Sequence, residues 1–434
     1  MGSRNIFINI LLGIIYAIVY DYVYTNFMYN FFSYMYCPDA ASIKNIYGIY
    51  IITATMPLLF YKGFQNIASG ISLLVYLIVY IPMLYAAYIS DLDESSKVQC
   101  ITVLLLVTSL FFATDNLFLN KKWMDNPDKE KIPFEYLEII GIIVFLIILL
   151  SEKHNLKFVN IWNNQDELYD LRSSYSRQRS AIVVYLLSWT KTALLPLFVV
   201  YYLKTKKYIK LAIALSCYMI TFMIDMQKVT LLMPFLISLA YFGLNRSDIV
   251  NRFIYFVVGF LSILSSIIVY NSHNIVFFKL GSILIMRLQC LDSWLFSMYL
   301  DFFKNNPFTH YTHINFINAI THAYPYNEAL GYAVSNGQMN ANASFLITDG
   351  YASMGIMGFL IVGTIFIILK GIFNCTCLVV NKNHLIVILF PAISAMLNVS
   401  IFTAVLSCGF LLLYIILKYV DLSPLQDETI EENT

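Results

Sequence analysis

Residues 5–20 read NIFINILLGIIYAIVY. The run is long and apolar and has no small-residue cleavage site. It reads as a first membrane span and not as a removed signal peptide. Similar runs of about 20 apolar residues recur to the far end of the chain, each long enough to cross a bilayer as a helix. The 434-residue chain is 59% hydrophobic and only 12% charged, where a soluble protein carries roughly a quarter of its residues as charges. The fold class expected is therefore all-α: a polytopic integral membrane protein. The runs are continuous and do not alternate, which argues against a β-barrel.

Spans are expected near 5–24, 45–61, 70–90, 98–119, 135–151, 181–203, 208–224, 229–244, 252–270, 344–369, 385–398 and 401–420, about 12 helices by length. The chain is expected to form a single polytopic domain over 1–434. Sidedness follows from Lys and Arg in short loops. Lys121, Lys122, Lys129 and Lys131 mark one loop, and Lys204, Lys206, Lys207 and Lys210 a second. Arg246 and Arg252 mark a third, and Lys370 and Lys382 a fourth. All four fall on one side if both termini are cytoplasmic. DLDESS (91–96) then lies opposite, and residues 421–434 form a cytoplasmic acidic tail.

The segment FFKLGSILIMRLQCLDSWLFSMYLDFF (277–303) is apolar enough for a span, yet Lys279, Arg287 and Asp292 would lie within it. Counting it would reverse the sidedness of Lys370 and Lys382. It is expected to be a re-entrant or interfacial helix on the outer face, of a kind that protein or a wet cavity must surround at membrane depth.

Two large outer-face loops follow, 152–180 and 271–343, joined on that side by the turn DMQK (225–228). They hold Arg172, Arg177, Arg179, Lys228, Arg287, His310, His313 and His322. Such cations are costly near a bilayer unless paired or wet. A group of them facing a cavity points to an anion, and the planar fork of Arg suits phosphate best. Arg177 and Arg179 equally serve as anchors of the following span, and Asp225 could pair with Lys228 one turn away. Trp162, Tyr169, Tyr175, Trp294, Tyr311, Tyr324 and Tyr326 form either a sugar-stacking surface or the ordinary aromatic belt. The stretch NANASFLITDGYASMGIMGFL (340–360) carries amides, an Asp and glycines into a span. Asn340, Asn342, Asp349 and Gly350 line a glycan cavity on one reading. On the other, Asn342, Ser344 and Asp349 are helix caps. Gly355 and Gly358 suit close helix packing.

The net charge of +1 and the absence of a basic tail give no reason to expect nucleic acid as a partner. Of the seven cysteines, Cys375 and Cys377 form a CxC without a second Cys/His pair, so no metal site is expected. The cysteines read as small buried hydrophobes.

Four stretches together resemble the Wzy-type oligosaccharide repeat-unit polymerases, which build O-antigen and capsular polysaccharides. LYDLRSSYSRQRS (168–180) resembles an arginine-bearing segment before a middle span. DMQKVTLLMPFL (225–236) resembles a small-residue–Lys–Ser element, with Asp225, Gln227 and Thr230 as departures from it. MRLQCLDSWLFSMYLDFFKNNPF (286–308) resembles an Arg, Tyr, Phe-Phe, Asn-Pro pattern, and 340–360 the polar start of a late span. The resemblance covers roughly the C-terminal 60% of the chain. It implies a polymerase that transfers a growing glycan from undecaprenyl diphosphate to a hydroxyl of an incoming lipid-linked repeat unit. The implied site is the outer face of the bacterial cytoplasmic membrane, and no cofactor is implied. A chain-length regulator and a flippase are the implied protein partners, with membrane lipids around the chain.

On that reading Arg172, Arg287 and Lys228 bind diphosphate. His322, His313, His310 and Asp349 are candidate bases, and Asn340, Asn342, Tyr299 and Trp294 contact glycan. A lipid-linked oligosaccharide flippase and an O-antigen ligase remain the alternatives. The hydropathy pattern shows no internal repeat of the kind transporters often carry.

Overall fold

A computed structural model describes residues 2–35, 37–119, 131–159, 171, 179–244, 252–396 and 398–426. The described residues are helical throughout, apart from loops and one isolated bridge between Ile132 and Val420. In chain order the first eight helical rods are α1 (Ile6–Phe32), α2 (Ile43–Phe60), α3 (Ile67–Ile89), α4 (Glu94–Ala113), α5 (Phe134–Glu152), α6 (Ala181–Lys204), α7 (Tyr208–Asp225) and α8 (Lys228–Leu244). Then follow α9 (Phe253–Tyr270), α10 (Ile275–Leu288), α11 (Leu291–Phe302), the short α12 (Asn315–Thr321) and α13 (Leu330–Val334), and α14 (346–354). The last three are α15 (Ile356–Asn374), α16 (Lys382–Met396) and α17 (Ile401–Tyr419).

Ten of these, among the described residues, are long and apolar enough to cross a membrane. The chain is thus an all-α, multi-pass membrane protein. The two remaining expected spans, α8 and α16, are present as apolar helices of 17 and 15 residues, and each contains a proline, Pro234 and Pro391.

The chain divides into two compact units. Unit 1 takes in residues 1–117, 249–371 and 396–401, and unit 2 takes in 118–248, 372–395 and 402–434. Within unit 1, α3 is buried along its whole length. Its start is fixed by a capping box, in which the Asn66 side chain accepts from the Ser69 N–H and Ser69 Oγ accepts from the Asn66 N–H. Much of the tyrosine in the composition ends here and not at the membrane rim. Tyr16, Tyr20, Tyr76 and Tyr80 are fully buried. Their hydroxyls donate to Leu77 O (3.1 Å), Ser293 Oγ (2.7 Å), Ala54 O (2.8 Å) and Thr53 O (2.8 Å). A buried phenol needs such a partner, and each of these bonds ties a ring to a neighbouring backbone or side chain.

Two expectations for unit 1 are corrected. The late span does not run unbroken from 344. The chain stops at Gly355, which takes φ +60 and ψ −140, a conformation that L side chains rarely adopt. The segment 346–354 is a separate, mostly buried helix folded against α15, which alone is long enough to span. Gly358 makes this reversal possible: a Cβ there would lie 1.9 Å from Gly350 O. The expected role of Gly358 in close packing holds, while Gly355 serves the reversal itself.

Lys370, expected as a loop charge, is instead 1% exposed inside α15. Its ammonium meets Asp115 Oδ1 at 2.7 Å, Ser72 Oγ at 3.0 Å and the Phe111 carbonyl. Three donors find three acceptors, so the charge is stabilised by pairing and says nothing about sidedness. The signal for this pair was present in the sequence as two lone charges, Asp115 and Lys370, in otherwise apolar runs.

Unit 2 has its own buried pairs. Lys191, the single charge within the expected span 181–203, reaches Asp225 Oδ2 at 3.0 Å and Gln227 Oε1 at 2.8 Å. Thr230 Oγ1 and the Gln227 N–H also donate to Asp225. The Asp225 carboxylate is therefore engaged by Lys191, where a pairing with Lys228 was considered. Arg179 binds Glu152 at 3.1 Å and the Ile224 carbonyl, so it anchors helix ends as the plainer reading expected. Of the cysteines, Cys37, Cys100, Cys290, Cys375 and Cys408 are buried free thiols and Cys217 is half-buried.

Candidate functional site

The polar run 304–343 in unit 1 places several of the expected site residues, and α11 is its foundation. Residues 291–300 of α11 are all buried, so this helix is surrounded by protein. Trp294 and Tyr299 are corrected here. Both face the core, at 3% and 0% exposure, and the Tyr299 hydroxyl donates to Ala341 O at 3.1 Å. Neither ring is open to a ligand, and Tyr299 supports the loop at Ala341. The cause is their position on a helix that is buried on every side.

Asp292, one turn before Phe296, is also buried, and its Oδ1 accepts the Ser344 N–H at 3.3 Å. Burial without a cation raises its carboxyl to about 7. Ser344 was one of the residues open as a cap, but no backbone N–H reaches its Oγ. Its backbone carbonyl instead accepts from Ile347 and Thr348.

Asp349 sits on α14, in a stretch wound as a π-helix (Leu346–Tyr351). Such turns are frequent at functional sites. The carboxylate is fully buried. Oδ1 lies 3.1 Å from His313 Nε2, and Oδ2 accepts the N–H of Ile401, the first residue of a helix. Of the readings open for Asp349, capping is met at the helix that starts at Ile401, and the same carboxylate also pairs with His313. His313 Nδ1 lies 2.9 Å from Thr309 Oγ1, which also contacts Ala352 O at 3.1 Å. The N–H groups of Thr309 and His310 donate to Ala352 O and Ser353 O. These bonds staple residues 309–313 onto α14. Thr309 drew no attention in the sequence; its only signal was a place four residues before His313.

Both ring nitrogens of His313 are occupied by protein, and Asp349 has no exposed oxygen. In this arrangement neither is placed to take a proton from a bound hydroxyl. His310 and His322 differ. Both are exposed, and both take left-handed backbone, with φ +47 and +48. They present imidazoles at loop turns. The buried hydroxyl of Tyr311, beside them in the loop, has no hydrogen-bond partner.

Asn340 and Asn342 are exposed and flank Gly331, where an added Cβ would lie 2.4 and 3.0 Å from their Oδ1 atoms. Tyr326 packs on Phe302 at 5.4 Å and on Tyr324 at 5.6 Å, and the Tyr324 hydroxyl donates to Glu328 O at 2.9 Å. Arg287 is exposed in the last turn of α10 and makes no hydrogen bond or ion pair among the described residues. Lys228 is half-buried in unit 2 and has interactions of its own. Arg172 lies outside the described residues, as do most of 152–180 and residues 427–434 of the tail. Among the described residues no group of three or more His, Cys, Asp or Glu converges as metal ligands do.

No family model, curated protein or solved structure matches the chain.

Proposed function

We propose that the chain is an oligosaccharide repeat-unit polymerase of the Wzy type, acting at the outer face of a bacterial cytoplasmic membrane with both termini inside. The observation that carries this reading is Arg287. An exposed guanidinium with no hydrogen bond or ion pair among the described residues, in the same sequence stretch 271–343 as the amide- and aromatic-rich loop of a membrane protein, suits a lipid-linked diphosphate with a glycan attached.

In this reading a terminal hydroxyl of the acceptor repeat unit attacks the anomeric carbon of the donor glycan. The new glycosidic C–O bond forms as the bond to the lipid diphosphate breaks. The leaving group keeps the bonding pair as diphosphate, and Arg287 offsets the added charge. The hydroxyl proton passes to an exposed base, for which His322 and His310 are placed better than His313 or Asp349. His313 and Asp349 hold the loop, and Asn340 and Asn342 offer amides to sugar hydroxyls. Arg172 and Lys228 remain further diphosphate candidates on sequence grounds.

The test is Arg287→Ala returned to cells that lack the wild-type protein, with surface glycan resolved by size and membrane levels checked. Loss of the long-chain ladder, with a single repeat still attached to the surface acceptor, supports the polymerase. A full ladder removes Arg287 from the site. Loss of even the single repeat, at normal protein level, turns the reading toward a flippase or a ligase.

A further inference from the structure

α15 has 19 residues, a rod of about 28 Å at the usual helical rise. The hydrocarbon core of a bilayer is about 30 Å thick. The first turn of α15, residues 356–359, therefore marks one edge of that core. α14 runs antiparallel beside it. The Gly350 carbonyl abuts Gly358, the Tyr351 ring stacks on Phe359 at 5.9 Å, and Phe345 stacks on Phe366 at 4.9 Å. The loop before α14 follows α14 in turn. The N–H groups of Thr309 and His310 reach Ala352 O and Ser353 O, and His313 Nε2 reaches Asp349 at 3.1 Å. His313 thus stands level with the first turn of α15. α12 (Asn315–Thr321) starts just after it, so α12 leaves from the edge of the hydrocarbon.

None of the α12 residues is buried. Phe316 and Ile320, one turn apart on one face, are 74% and 68% exposed, while Ile317 and Asn318 on the other side are half-buried. The turn after the helix is held by the helix itself. The His322 N–H donates to Asn318 O at 2.8 Å, and the Tyr324 N–H donates to Asn318 Oδ1 at 3.3 Å. Residues 311–327 contain no Asp, Glu, Lys or Arg, so no fixed charge resists contact with lipid. A soluble partner would leave two large apolar side chains in water at each dissociation, whereas a bilayer lies against a multi-pass chain at all times.

We propose that α12 lies along the polar–apolar boundary of the bilayer, with Phe316 and Ile320 inserted among the lipid chains. Amphipathic helices with one apolar face lie in the plane of that boundary. The contact is made by apolar area and not by charge, so it does not require anionic lipid. On the reaction proposed above, on which this consequence alone rests, His322 at the end of α12 is held at the height of a lipid-linked diphosphate.

The experiment uses the full-length protein in nanodiscs of phosphatidylcholine, with Ile320→Cys carrying a thiol-linked, environment-sensitive fluorophore. Wild type labelled in parallel gives the background from native thiols. Emission is read against lipids with a nitroxide near the headgroup or at the far end of the acyl chain, and against aqueous iodide. The headgroup-end nitroxide quenches the label more strongly than the far-end one. Iodide quenches it much less than a label at Ser95→Cys, an exposed position. Phe316→Glu in the labelled protein exchanges lipid quenching for iodide quenching. Phe316 and Ile320 are exposed, so folding is preserved, and a single symmetric elution peak checks this. Iodide quenching equal to that at Ser95, without lipid quenching, overturns the proposal and leaves the face to a soluble partner. Protection from both quenchers overturns it too, since protein then covers the face. An unchanged pattern in Phe316→Glu likewise overturns the insertion. The label reports position and not glycan synthesis, so its failure is distinct from failure of the polymerase reading.

Discussion

Asp349 and His313 are 36 residues apart in the chain and meet at 3.1 Å, with the carboxylate wholly buried and its second oxygen on the N–H of Ile401. One side chain thus joins the polar loop, the reversal before α15 and a helix start. Asp349→Ala strands the imidazole and an amide together. Loss of one member of such a buried pair costs roughly 3–5 kcal/mol. Asp349→Asn keeps one acceptor oxygen, enough for the Ile401 N–H, and turns the other position into a donor, so it costs less. Thermal unfolding in detergent orders the three proteins as wild type, Asn, then Ala; equal melting of the Ala variant and wild type would show that the contact is idle.

Lys370 stands in a different relation to Asp115, since its three donors are all used. Lys370→Met leaves a buried carboxylate without its ammonium partner, although Ser72 still donates to it. The expected loss is again about 3–5 kcal/mol, whereas Lys370→Met combined with Asp115→Leu recovers most of it. A double-mutant cycle on melting temperature reads the coupling directly. Additive losses in the double variant contradict it.

Asp292 links stability to pH. Its carboxyl is raised by burial to about 7 in the folded protein and returns to about 3.9 when unfolded. A raised carboxyl stabilises the fold in its protonated form, so the contribution is whole below pH 4 and is lost as pH rises through 7. The wild type therefore melts lower at pH 8 than at pH 5, and Asp292→Asn flattens that difference. A slope that is the same in both proteins assigns it to other groups.

Gly358→Ala forces a methyl group to within 1.9 Å of the Gly350 carbonyl, where backbone must move. We expect poor membrane accumulation or a drop of several degrees in melting temperature. Gly48→Ala has nothing within 4 Å and serves as the neutral comparison. Equal behaviour of the two variants contradicts the tight seam.

The membrane helices were legible because each is a local property: about 20 apolar residues suffice wherever they fold. Lys370 was misread for the opposite reason. A lysine close to a span end looks like a loop marker, and only a carboxylate 255 residues away reveals it as buried. The reversal at Gly355 was equally hidden, because a glycine allows a left-handed turn without demanding one. Asp349 could be singled out, and its capping reading is met at Ile401, yet neither partner was visible. His313 was one of three similar loop histidines, and a backbone N–H leaves no trace in a sequence. Trp294 and Tyr299 show the limit of composition. An aromatic in an apolar run packs inward or outward according to neighbours far away in the chain, here the loop at Ala341.

The bare contact between Gly350 and Gly358 has a mechanical meaning. Two backbones that touch without side chains have no rotamers to absorb a push. The staple from Thr309, His310 and His313 grips α14 on its other side. A load applied to the loop at His313 therefore passes through α14 into the first turn of α15 with little slack. The loop, the short helix and the head of the span are therefore coupled as one rigid body.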